Sequence, residues 1–253
     1  MSFALRSTIE RPIYKTEDSS HTINVAGTTT NYIPLKPGFR LIETICDTAW
    51  YITFGPKLLH ALYYSGTTKE FTEYKNSVTD NSSSTHMPLD GMTTSDYVYL
   101  GTYEPAWFYF DIGSNANAAT ATLDVEYCSA KATTTTAATF TDVAGDSDQT
   151  ASGGATLAID GEYVWTKPTM AKSQLLYRGR LMFDDCYWIR FKPSATLSTT
   201  VDINQIITVY PDSTNLTYRA AGVYHPYTLD TDKVGGIYAQ CTSEKTLYIS
   251  WMA

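Results

Sequence analysis

The chain has 253 residues, 43% of them hydrophobic, enough for one large β domain or two smaller ones with a real core. Only 17% are charged and the net charge is −8, which argues against a nucleic-acid backbone as main partner, since such binders carry a basic patch. No apolar run approaches the ~20 residues of a membrane span, and MSFALRSTIERPIYK lacks the charged-then-apolar layout of a secretion signal, so a cytoplasm is the expected place of synthesis.

Residues 1–20 read as a polar arm whose only anchors are Phe3, Leu5, Ile9, Ile13 and Tyr14. Phe3, Leu5 and Ile9 are expected to serve as interface residues, because no core of their own follows them. Strand patterns at 22–25 and 31–35 precede the Lys36-Pro37-Gly38 turn. Residues 39–46 and 49–54 then predict a hairpin around Asp47-Thr48, with Trp50, Ile52 and Phe54 in phase. Residues 57–64 fit either a strand or a short helix, and 65–96 read as a long, exposed, turn-rich loop.

From Asp96 onward the alternation sharpens. Strands are predicted at 97–101, 106–112, 120–128 and 156–166, the last carrying Gly161 as a bulge or a close backbone approach. A helical turn is expected within 167–182. Residues 187–210 form the clearest unit, read as a hairpin forming one wall of a sandwich. Tyr187, Ile189 and Phe191 fall on one face, and Trp188, Arg190 and Lys192 on the other. In its second half Val201, Ile203, Ile207 and Val209 share a face opposite Asp202, Asn204 and Thr208, while Gln205 and Ile206 break the two rows. Trp188 on the wet face, beside Arg190, marks a contact surface, because a large exposed aromatic suggests a partner.

The tail echoes the start: Cys241 with Leu247, Ile249 and Trp251 matches Cys46 with Trp50, Ile52 and Phe54. That echo predicts one sheet system built from both ends. The expected layout is an arm at 1–20, a terminal β unit from 21–94 and 213–253, and a β-sandwich at 95–212. The fold class is all-β: an antiparallel sandwich, jelly-roll-like, with a second smaller β unit.

Little in the sequence looks catalytic. His21, His60, His86 and His225 show no ligand spacing, and no GxSxG elbow or phosphate-binding glycine loop occurs. Asp142, Asp146 and Asp148 do not follow the calcium-loop pattern and read as a solvated acidic loop. No catalytic, cofactor-binding or metal residues are assigned. Cys46, Cys128, Cys186 and Cys241 have no CxxC spacing and read as free, buried thiols kept reduced, although spacing alone assigns or excludes no pairing.

Residues 97–210 resemble a β-sandwich unit that recurs in structural proteins of tailed bacteriophages. The resemblance lies in YVYLG (97–101), WFYFDIG (107–113), TLDVEY (122–127), ASGGATLAIDGEYVWTKP (151–168), YWIRF (187–191) and LSTTVDINQI (197–206). It covers under half the chain and implies a virion part rather than an enzyme, assembled in the host cytoplasm. The expected role is a capsid accessory or decoration protein, with a tail or fibre-base component as an alternative. The implied partners are the major capsid protein or neighbouring subunits, with the chain a homo-oligomer and no cofactor, nucleic acid or membrane involved. Two readings from other classes stand beside it: a carbohydrate-binding module using exposed aromatics, and a polysaccharide-degrading enzyme with a carboxylate pair.

Overall fold

Runs of β-branched and aromatic residues at period two become strands almost everywhere, because such side chains suit a pleated, half-buried surface. The computed structural model describes residues 16–23, 32–34, 41–46, 48, 50–80, 84–209, 217–219, 222, 225–228, 233–241 and 245–252. The first strands are β1 (Thr16–Ile23), β2 (Tyr32–Pro34), β3 (Leu41–Cys46) and β4 (Trp50–Pro56). The middle of the chain forms β5 (Leu58–Ser65), β6 (Glu70–Glu73), β7 (Met87–Pro88), β8 (Tyr97–Thr102), β9 (Trp107–Asp111), β10 (Leu123–Ala130), β11 (Thr139–Asp142), β12 (Ala144–Asp148) and β13 (Gly161–Thr166). Then come β14 (Lys172–Tyr177), β15 (Arg180–Pro193), β16 (Asp202–Ile203), β17 (Gln205–Val209), β18 (Thr217–Arg219), β19 (His225–Thr228), β20 (Val234–Cys241) and β21 (Lys245–Met252). The fold is all-β and sandwich-like, and the ladders between these strands are antiparallel.

Four main sheets result. The large sheet runs β11-β10-β15-β8-β5-β6, with β14 beside β15, and the inner sheet runs β12-β13-β9-β17. The junction sheet is β18-β4-β20-β2 and the end sheet is β1-β21-β3-β19. Val98, Leu100, Val125, Ile189 and Phe191 of the large sheet meet Phe108, Phe110, Trp165 and Ile206 of the inner sheet in the main core. Ile33, Trp50, Ile52 and Ile237 of the junction sheet meet Cys46, Leu247 and Ile249 of the end sheet in a second core. The inner and junction sheets also touch: β17 packs on β4 and β20. The hydroxyl of Thr208 donates to the carbonyl of Pro56 there.

Several expectations change. Residues 16–20 are no free arm: they belong to β1, which pairs with β21 from Thr16↔Met252 to Ile23↔Lys245. Phe3, Leu5 and Ile9 lie outside the described residues. The sandwich begins at β5, not near residue 95, because β5 pairs with β8 and β6 with β5. Within 65–96, Val78, Met87, Leu89 and Met92 are buried in the main core, so this segment is no exposed loop. Residues 172–177 form a strand rather than a helical turn. Residues 187–210 are not a hairpin: β15 lies in the large sheet and β17 in the inner one. The irregularity at Gln205-Ile206 is the phase break at this crossover. Val201, Ile203 and Ile206 enter the main core, whereas Ile207 and Val209 join Tyr109 in a separate buried cluster.

Candidate functional site

Strand alternation sends Ile189 and Phe191 of β15 into the main core and Cys186, Trp188 and Arg190 to the outer face of the large sheet. Trp188 is nevertheless 0% exposed, which overturns its placement on a wet contact face. The physical reason is a local cover. The β14–β15 hairpin turns at Arg178-Gly179, both at positive φ, and Phe183 at φ 65° redirects β15 so that its first half lies against the sheet. The indole N–H of Trp188 donates to the Ser173 carbonyl at 2.7 Å, and its ring stacks on His60 with centroids 5.5 Å apart. Phe183 packs edge-on to both rings.

His60 links this cover to the sheet. Its Nδ1 lies 2.8 Å from Glu73 and its Nε2 lies 3.2 Å from Asp184. Burial acts to raise the Glu73 carboxyl, but hydrogen bonds from His60, the Ala61 N–H and the Lys75 N–H outweigh it and hold the group below the usual range.

Past Trp188 the cover stops short of the sheet edge and leaves a cleft of about 480 Å³. Its aromatic walls are Tyr64 of β5, Phe71 of β6, Tyr97 and Tyr99 of β8, and Tyr177 at the hairpin tip. Phe71 is the hub, with ring centroids 4.9 Å from Tyr64, 5.3 Å from Tyr177 and 5.5 Å from Tyr99. Three cations line the same space: Lys69, Arg178 and Arg190. Arg178 reaches Glu70 at 3.2 Å, tying the hairpin tip to β6. Lys69 stands in the β5–β6 turn at φ 60°. That turn is fixed from behind by Asp96, which accepts the N–H groups of Gly66 and Thr93, each at 2.7 Å.

Arg190 is the most constrained of the three. Its Nε donates to Glu126 at 2.5 Å and its Nη1 to the Tyr99 hydroxyl at 3.2 Å. Its guanidinium carbon lies 4.5 Å from the Tyr97 ring centroid and 4.3 Å from that of Phe140. Burial disfavours its charge, yet the Glu126 and Tyr99 contacts outweigh that and hold the guanidinium firmly protonated. Arg190 was legible from its phase in β15; the rest of the cleft was not. The signal for Tyr97 and Tyr99 was their shared parity in YVYLG, a row of aromatics on one face. Phe71, Tyr177 and Lys69 come from separate segments, and only the fold gathers them.

Other groups weighed in the sequence have structural work. Asp146 accepts the Tyr163 hydroxyl at 2.5 Å, and Asp148 accepts Thr150 and Thr156 hydroxyls at 2.6 and 2.5 Å. Asp185 pairs with Lys131 at 3.3 Å. Among the described residues no group of three or more His, Cys, Asp or Glu is placed to hold a metal ion. Cys46, Cys128 and Cys186 are free and buried, and burial pushes the Cys128 and Cys186 thiols above their ordinary value. The Cys241 side chain lies outside the described residues. Compared with models of known protein families, with curated proteins and with solved structures, the chain matches none.

Proposed function

We propose that the chain is a non-enzymatic structural component of a bacteriophage virion, an accessory or decoration protein seated on the head lattice through subunit contacts. The observation that carries this reading is how the resembling segments are placed. YVYLG, TLDVEY and YWIRF supply β8, β10 and β15, in the large sheet, and WFYFDIG supplies β9 of the sheet facing them across one core. Beside it, the β1–β21 ladder belongs to the end sheet over a second core, so the fold is a stack of antiparallel layers, an arrangement that suits a part built to endure rather than to open and close. Phe3, Leu5 and Ile9 are the proposed lattice contacts, as members of an N-terminal homo-oligomeric or capsid-binding arm. Removing residues 2–15 leaves β1 whole, since that strand starts at Thr16. The test is fractionation of infected-cell particles: the intact chain should sediment with heads and the truncated chain should stay in the supernatant. A chain found only as free protein would overturn the reading, and one found only with separated tails would move it to a tail role.

The cleft favours a second reading, that of a carbohydrate-binding module. Tyrosine and phenylalanine walls combine apolar faces with polar tips, which suits ligands that are both ring-shaped and hydroxylated. Binding on a glycan array, lost on Tyr177→Ala, would support it.

A further inference from the structure

We propose that the cleft between the β14–β15 hairpin and β6–β8 binds a carboxylated sugar, a uronate or sialate unit, with Lys69 and Arg190 on the carboxylate and the aromatic walls on the ring. The inference rests on the carbohydrate-binding reading and gives it a ligand class.

Charge is the first argument. The chain as a whole carries −8, yet the cleft is lined by three cations and by no carboxylate. Arg178 is answered by Glu70 and Arg190 by Glu126. Lys69 has no ion-pair partner among the described residues. Three cations less two carboxylates leave one positive charge, which matches a single carboxylate better than a doubly charged phosphate.

Preorganisation is the second. An arginine has five N–H donors in a rigid fork that fits a carboxylate in two-point fashion. In Arg190 two donors are taken, by Glu126 and Tyr99, and the plane is held between Tyr97 and Phe140. The other three donors are oriented before any ligand arrives, so little side-chain entropy is lost on binding.

Size and wall chemistry are the third. About 480 Å³ falls within the range of small-molecule pockets, roughly 300–1,000 Å³. Phe71 and Tyr177, 5.3 Å apart and edge to face, offer the apolar surface against which the C–H face of a pyranose can lie. A neutral sugar would use that surface without engaging Lys69 or the remaining donors of Arg190.

The test uses the full chain and an array of uronate- and sialate-terminated oligosaccharides, each beside its carboxyl-reduced counterpart, with a nucleoside monophosphate as competitor. Carboxylated forms should bind about tenfold more tightly than reduced ones, the scale of one charge-assisted hydrogen bond. Lys69→Gln, at an exposed turn, should shrink that preference by weakening the carboxylated forms, with the unfolding midpoint read alongside to show the fold intact. An undiminished preference would overturn the assignment of Lys69. Equal binding of both forms would overturn the carboxylate assignment and leave the carbohydrate reading standing. Binding to no glycan at all would overturn both. Displacement of every glycan by the nucleoside monophosphate at lower concentration would overturn the assignment in favour of a nucleotide.

Discussion

The two outer faces of the main sandwich are both apolar along their middle strands, and the chain covers them by different means. On the inner sheet, β17 with Ile207 and Val209 meets the junction sheet, a whole second layer built from strands that precede and follow the sandwich in sequence. Glycines let the layers close: a Cβ at Gly55 would run into the Thr208 carbonyl, and one at Gly236 would lie 3.1 Å from a methyl of Ile207. On the large sheet the cover among the described residues is the chain's own β14–β15 hairpin. Leu175 and Phe183 seal Trp188, while Tyr177 and Arg178 stand off from Tyr97 and leave open space. A sheet laid on a sheet excludes ligand volume, whereas a local flap leaves a cleft at its margin. The opportunity for recognition therefore sits under the smaller cover.

The strongest way to break this comparison is to cut into the hairpin cover. Trp188→Ala should destabilise the isolated chain by about 3–5 kcal/mol, as much as truncating a main-core residue such as Ile189. Urea unfolding with both variants measures it. A Trp188→Ala midpoint near wild type would show that the hairpin does not cover the sheet in solution.

Glycine substitutions sharpen the contrast between the two covers. Gly55→Ala forces a methyl against backbone at the sheet–sheet junction, and overpacking of this kind costs roughly 1–3 kcal/mol. At Gly101→Ala the new methyl meets side chains instead, 2.7 Å from Cys186 Sγ and 2.9 Å from the Trp188 ring. Side chains yield more readily than backbone, so the Gly55 variant should have the lower thermal midpoint. The reverse order would place the more rigid cover on the large sheet.

Carboxylates on the two sheets should respond oppositely to pH. Glu162 pairs in register with Tyr109 on the outer face of the inner sheet, and burial alone raises its carboxyl from the ordinary 4.5 to about 7. The folded state holds this proton more tightly than the unfolded chain, so its contribution is fully present below about 4.5 and is lost as pH rises through about 7. At 1.36 kcal/mol per unit, the loss is on the order of 2 kcal/mol for this partly buried group. Glu162→Gln should flatten the stability profile between those values. Glu73, held low, contributes in the other sense: its stabilisation is present above its unfolded value and lost as pH falls through its folded one. Glu73→Gln should remove that acid-side loss, read by chemical denaturation between about pH 3 and 5.

The smallest effect expected is at the thiols. Cys128 and Cys186 lie buried in the cover of the large sheet with their thiols held protonated. Neither should be alkylated by iodoacetamide at neutral pH until the chain unfolds. Rapid labelling of Cys186 in the native protein would again point to an open hairpin.

The all-β class and the apolar row Ile189–Phe191 were legible because strand period is a local property of the sequence. The echo between 46–54 and 241–251 misled in part: with the hairpin read at Asp47-Thr48 it predicted one sheet system, whereas β3 pairs with β21 and β4 with β20 in two separate sheets that share a core. Trp188 was misplaced for a related reason. Alternation tells which side of a strand a residue faces, but not whether that side meets water. Only the tertiary structure decided that the β14–β15 hairpin folds back over it, through Phe183 at positive φ and the Ser173 carbonyl that receives the indole N–H. The crossover at Gln205-Ile206 was visible as a broken row and unreadable as a change of sheet, because pairing partners distant in sequence set it. The cleft was the least legible feature of all. Its residues come from five separated segments, and what unites them is the edge of a cover whose reach no local pattern encodes.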